Sequence, residues 1–88
     1  MDANQSEIVQ ALRKVGVTVS VTSGVGNGFP DLVCLFRGRL LLVEVKDGSK
    51  PPSAQRLTES EREFAAAFQP VYRVVTSPCE AINVVCAL

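Results

Sequence analysis

The chain reads as an α/β protein, a mixed four-stranded sheet flanked by helices in the order αβββαβα. Three features of the sequence point to this arrangement. Apolar residues recur with helical spacing in some segments and with strand alternation in others. Clusters of Gly, Ser, Asn and Pro separate those segments. The last strand-like run follows a helical crossover, which favours parallel pairing in a right-handed unit, whereas the first three runs connect as antiparallel neighbours. With 88 residues, 47% hydrophobic and 20% charged, the chain suits a single globular domain over 1–88 with a modest core.

The first helix is expected from Ser6 to Val15. Ser6 is a plausible N-cap, and Ile8, Ala11, Leu12 and Val15 form an i, i+3, i+4, i+7 stripe. Gly16 stops it. Val17 to Val21 alternates apolar and polar residues, as a half-exposed strand does. Ser23 to Gly28 is a loop whose glycines precede no helix and so form no phosphate-binding fingerprint. Its place just before Asp31 suits a loop bordering a site.

Leu32 to Phe36 and Leu40 to Val45 form the next two strands, with Arg37-Gly38-Arg39 as a tight hairpin turn between them. Both runs are apolar on both faces, so helices are expected to cover both. Asp47 to Ser53 is a second loop. Thr58-Glu59-Ser60-Glu61 is a capping box, favoured over Ser53 as the start of a helix that runs to Phe68, with Leu57, Phe64 and Phe68 toward the core. Gln69-Pro70 ends it. Val71 to Val75 is the last strand. Ser77-Pro78 opens a final helix to about Ala87, with Ile82, Val85 and Cys86 facing inward.

Charged residues at the ends of apolar strands are costly without compensation, and this draws attention to Gly28-Phe29-Pro30-Asp31 and Glu44-Val45-Lys46. If Arg37-Gly38 is the hairpin loop, Asp31 faces Glu44. If Gly38-Arg39 is the loop, Asp31 faces Lys46. Both registers put Asp31, Glu44 and Lys46 on one face, because side chains alternate with period two. A three-residue loop would break the cluster. In the first register the carboxylates repel by on the order of 3 kcal/mol at ~5 Å and an effective dielectric of about 20. A divalent cation would remove that repulsion, and two hard carboxylate ligands suit Mg²⁺ or Mn²⁺.

Composition excludes other chemistries. The chain has no histidine, so imidazole acid/base catalysis and a hydrolytic triad are excluded. Cys34, Cys79 and Cys86 lack zinc-site spacing, and Cys34 is most simply a core residue. No apolar run reaches the length of a membrane span. The polar N-terminus lacks a signal-peptide pattern, so the cytoplasm is the expected compartment. The formal net charge is zero, with Lys14, Arg37, Arg39, Lys50, Arg56 and Arg73 available around an acidic centre.

On these residues the chain resembles the PD-(D/E)XK nuclease superfamily, and within it the stand-alone VRR-Nuc domain of bacteriophages, which is similar to Holliday-junction resolvases. The residues that carry the resemblance are Gly28 to Leu32, Glu44-Val45-Lys46, Leu57-Thr58 and Val74 to Ser77. The resemblance implies a Mg²⁺- or Mn²⁺-dependent DNA endonuclease acting on branched DNA such as four-way junctions, with no organic cofactor. It implies Asp31 and Glu44 as metal ligands, the Val45 carbonyl completing the metal shell, and Lys46 acting on water and phosphate. Glu7 matches a helix-1 glutamate that joins the metal site in related resolvases, although a first-turn position favoured by the helix dipole explains it equally well. Lys50, Arg56 and Arg73 are the expected DNA contacts. Glu61 stands where the family commonly has glutamine, and its capping role suffices to explain it. A homodimer is also expected, because Ile82, Val84, Val85, Ala87 and Leu88 give the last helix more apolar surface than a small sheet covers. The alternatives are a DNA-binding module of the same fold without catalysis and a protein-interaction module.

Overall fold

The computed structural model describes residues 4–87. Helix α1 spans Gln5–Lys14, strand β1 Thr18–Val21, β2 Leu32–Phe36 and β3 Arg39–Val45. Helix α2 spans Glu59–Ala67, β4 Tyr72–Val75 and α3 Pro78–Cys86. The four strands form one sheet in the order β1-β2-β3-β4, antiparallel across the first two pairs and parallel between β3 and β4. The α/β class, the mixed four-stranded sheet and the order αβββαβα are as the sequence predicts.

Several boundaries differ for physical reasons. α1 begins before Ser6, with Asn4 at the cap position. The Asn4 side chain does not cap; its amide donates to the Lys46 carbonyl at 3.1 Å and the Thr76 carbonyl at 2.9 Å. At the other end Gly16, at φ 96°, lets the Val17 and Gly16 amides bond back to the Leu12 and Arg13 carbonyls, a Schellman closure. β4 starts at Tyr72 because a 3₁₀ turn, Gln69–Val71, takes up Val71. Thr58 caps α2 in a complete capping box, and the Ser77 hydroxyl caps α3 by accepting from the Glu80 amide.

The hairpin resolves the register. Arg37 and Gly38 both have positive φ, 53° and 75°, as a two-residue type I′ turn requires. Phe36 therefore pairs with Arg39, and the ladder runs to Leu32 opposite Val43. One step further, Asp31 lies beside Glu44. The Arg37 guanidinium stacks 4.8 Å from the Phe36 ring centroid, which helps hold a non-glycine residue in the left-handed region.

The two faces of the sheet are covered unequally. On the inner face, Val19, Leu32, Cys34, Leu41, Val43, Val45 and Val75 pack under Ile8, Val9 and Leu12 of α1 and Ala81 and Val85 of α3. The outer face carries Asp31, Val33, Leu35, Leu40, Leu42, Glu44, Tyr72 and Val74. There α2 shelters only the end near Glu44. Leu42 and Tyr72 are buried, whereas Leu35, Leu40 and Val74 are exposed. Phe68, expected inward, is exposed and stacks on Phe64 at 4.5 Å. Cys86, also expected inward, is exposed, while Ile82 and Val84 pack against the core. The surplus apolar surface expected on α3 therefore lies elsewhere, because α3 fills the space between the sheet and α1. Leu88 lies outside the described residues.

Four contacts press α2 onto the outer face. Phe29 meets Phe64 edge-on at 5.2 Å, and Phe64 leans on Tyr72 at 6.2 Å. Lys46 donates to Glu61 at 2.9 Å. Gly28, at φ 79°, sits so close that a Cβ there would lie 2.5 Å from the Ser60 backbone carbonyl. Gly28→Ala is therefore expected to cost roughly 2–4 kcal/mol, combining left-handed strain with displacement of α2. Urea unfolding checks this; a variant within 0.5 kcal/mol or so of the parent, the range of an ordinary surface change, would show the close approach to be unimportant.

Candidate functional site

The site forms where β2 begins and β3 ends. Pro30 is buried, and its carbonyl accepts from the Thr22 hydroxyl at 2.8 Å, while the Asp31 carbonyl accepts from the Thr22 amide at 2.7 Å. These bonds fix the backbone on either side of the Asp31 side chain. Pro30 has no N–H to extend the ladder. The Pro30 carbonyl is taken by Thr22, and the Val45 amide donates to Asp31 Oδ2, at 2.8 Å. A backbone donor thus orients one carboxylate of the pair.

Glu44 is only 4% exposed. Its Oε2 lies 3.7 Å from Lys46 Nζ, and its Oε1 is buried without a hydrogen-bond partner. Burial, first, and then the neighbouring charges of Asp31 and Glu61 push its carboxyl up to about 9. Lys46 is held from three directions. Its amide donates to the Val75 carbonyl, its carbonyl accepts from Asn4 of α1, and its ammonium donates to Glu61 of α2 at 2.9 Å. For Glu61, burial pulls the carboxyl upward. Hydrogen bonds from the Thr58 amide, Lys46 and Glu44 outweigh burial and hold it below the ordinary value. Tyr72 completes the wall. It is 8% exposed, its hydroxyl is buried without a partner, and burial followed by the charges of Glu44, Glu61 and Asp31 raises its pKa.

The structure thus brings Asp31, Glu44 and Lys46 together, with Val45 beside them. It adds Glu61 and Tyr72, which sequence reasoning left out. Glu61 was readable as a cap, but its second bond needed the placing of α2 over β3. Tyr72 carried no signal beyond an aromatic residue in a strand. Glu7 is exposed on α1, and no contact described among residues 4–87 joins it to Asp31 or Glu44. Arg73 pairs with Val43, which puts it on the inner face, across the sheet from Glu44, where its guanidinium donates to the Tyr72 carbonyl at 2.8 Å. Lys50 and Arg56 are exposed on the segment after β3, braced by Gln55, which donates to the Lys50 carbonyl at 2.6 Å. Cys34 is buried mid-strand and burial pushes its thiol up to about 11, as suits an inert core residue.

Among the described residues, three carboxyl groups crowd one ammonium at this centre. Among the described residues there is no ready-made cage of three or more Asp, Glu, Cys or His ligands. The pair Asp31 and Glu44 remains, with the orphaned Glu44 Oε1 at its centre. Those hard oxygens fit a divalent cation of the Mg²⁺ or Mn²⁺ type. No family model, curated protein or solved structure matches the chain.

The Glu44 shift has a sign that can be tested in metal-free protein. Below 4.5 the folded and unfolded chains both keep the Glu44 proton. Between 4.5 and about 9 the unfolded chain releases it and the folded chain retains it, so stability falls as pH rises through that window. Urea midpoints in EDTA should decline from about pH 5 to about pH 8. Glu44→Gln keeps the shape and should flatten that decline, with a gain on the order of 1 kcal/mol at neutral pH. Parallel pH curves for the two proteins would sink this account of Glu44.

Proposed function

We propose that the chain is a Mg²⁺- or Mn²⁺-dependent endonuclease of the PD-(D/E)XK type, similar to VRR-Nuc domains and acting on branched DNA. The observation that carries the reading is the Asp31–Glu44 pair, with Glu44 buried, Asp31 half-buried and Lys46 beside them, at the end of a hairpin whose turn fixes their adjacency. The connectivity, three antiparallel strands and a fourth parallel one after a helix, agrees with the αβββαβ core that the resemblance implies. Asp31, Glu44 and the Val45 carbonyl would hold the cation. When bound, such an ion lowers the pKa of water and neutralises charge developing on a phosphate. The chain supplies the rest. The Val45 amide orients Asp31. The apolar wall of Leu42, Phe64 and Tyr72 lowers the local dielectric and strengthens every charge at the site. Lys46 contributes a compact positive charge next to the carboxylates. With no histidine in the chain, the proton of an attacking water leaves to solvent, to Lys46 or to the phosphate. Lys50 and Arg56, exposed beyond β3, would meet the phosphate backbone. A homodimer would bury the exposed outer-face pair Leu35 and Leu40, which are 46% and 47% exposed.

Cleavage of linear, flapped and four-way-junction DNA with Mg²⁺, Mn²⁺ or EDTA tests the reading. Asp31→Asn and Glu44→Gln should each lower metal-dependent cleavage by roughly 10³-fold with the fold intact by circular dichroism. Lys46→Ala should lose roughly 10²-fold in turnover yet keep its Mn²⁺ affinity by calorimetry. Full cleavage by either carboxylate variant would leave a binding module of the same fold as the better description. Light scattering at micromolar concentration should report a dimer. A monomer that cuts four-way junctions symmetrically would refute the assembly and leave the chemistry standing.

A further inference from the structure

We infer that Glu61 is a positioning residue for Lys46, holding its ammonium off Glu44 so that the carboxylate pair stays open to a cation; this rests on the nuclease reading above. One oxygen, Glu61 Oε1, accepts two hydrogen bonds, from the Thr58 amide at 2.8 Å and from Lys46 Nζ at 2.9 Å. The capping box needs only the first. A cap at the start of a solvated helix has no reason to be sequestered, yet the Glu61 side chain is 15% exposed and faces the sheet. Lys46 has a competing partner in Glu44 Oε2, at 3.7 Å. The shorter, charge-assisted bond to Glu61 holds the ammonium, and the 3.7 Å contact to Glu44 is the looser of the two. Glu44 Oε1 is left without any partner on the protein.

The arrangement works because α2 is fixed. Gly28 against Ser60 and Phe29 against Phe64 pin the helix one residue before Glu61 and one turn after it. The Thr58 amide then sets the direction of the Glu61 carboxylate. Without Glu61, the flexible four-carbon stem of Lys46 lets its ammonium settle on Glu44. An internal ion pair would then occupy the oxygens that a cation needs, and the ammonium would leave the place from which it meets a phosphate.

The test compares wild type, Thr58→Ala, Glu61→Ala, Glu61→Gln and the double variant Glu61→Ala/Lys46→Ala. Thr58→Ala removes the other half of the box, since its hydroxyl accepts from the Glu61 amide. Calorimetric titration with Mn²⁺ should give Thr58→Ala an affinity within about twofold of wild type, despite a lower melting temperature. Glu61→Ala should bind about tenfold more weakly, and removing Lys46 as well should restore the affinity, as expected for two coupled groups. Glu61→Gln keeps both acceptor contacts without the charge and should fall between. In cleavage assays Glu61→Ala should lose about 10²-fold in kcat with KM for DNA little changed. Nitrogen-15 NMR of the lysine ammonium groups in metal-free protein reads the contact directly. The Lys46 signal should match wild type in Thr58→Ala and move in Glu61→Ala. An unmoved Lys46 signal in Glu61→Ala, or equal loss of Mn²⁺ affinity in Thr58→Ala and Glu61→Ala, overturns the inference. A wild type that cuts no DNA with either metal overturns the nuclease reading instead, and the ammonium signal still decides whether Glu61 holds Lys46.

Discussion

The two-residue turn at Arg37-Gly38 is the constraint on which the rest of the site depends. A hairpin this short admits one pairing of its strands, and every pair from Phe36–Arg39 to Leu32–Val43 follows from it. Asp31 and Glu44 become neighbours as the next step of that ladder, not through any attraction of their own. A slip of one residue would send Glu44 to the inner face, among Val43, Val45 and Leu32, where a carboxylate has no partner. The apolar residues of the inner face therefore guard the register, since they would have to leave the core for the carboxylates to separate. The adjacency crowds two acidic groups together and is imposed by a cooperative structure, in the manner of strain held at functional sites.

Holding it requires support from three sides. The Val45 amide fixes Asp31, α1 reaches through Asn4 to the Lys46 carbonyl, and α2 presents Glu61 to the Lys46 ammonium. Each support comes from a different element, so the site is formed only when the whole domain is folded. The main core lies on the opposite face, between the sheet and the helices α1 and α3. That separation lets the inner face supply hydrophobic stability while the outer face tolerates buried charge. α2 lies over the outer face with no residue fully buried, held by aromatic contacts and by the close approach at Gly28. It is the least buried of the α-helices and the one that meets Lys46.

The electrostatic balance of the centre bears on the proposed cation. Glu44 keeps its proton near neutral pH in the metal-free protein because its burial and its acidic neighbours leave no better choice. A cation held there, as proposed, would have to displace that proton, so its binding would be coupled to proton release. Tyr72 and Leu42 make the same environment apolar, which strengthens whatever charge is finally installed there.

The sequence by itself determined the class of fold, the order of its elements and the capping of α2 and α3, because each is written in residues close together in the chain. Period-two and period-3.6 patterns, Gly-rich turns and the Thr58–Glu61 box need no distant partner. The sequence also brought Asp31, Glu44 and Lys46 to one face, since both possible two-residue loops lead to that result. It left open which of Glu44 and Lys46 lies opposite Asp31. The positive φ of Arg37 and Gly38 decided that in the folded chain. The first residue of α1 depended on Asn4 meeting Lys46 and Thr76, and the exposure of Phe68 on how little of the outer face α2 covers. Arg73 falls on the inner face because β4 pairs with β3 in the register that sets Arg73 opposite Val43, which no local pattern encodes. Glu61 illustrates the division most clearly. Its bond to Thr58 spans three residues and was legible. Its bond to Lys46 spans fifteen and exists only because the tertiary structure lays α2 across the end of β3.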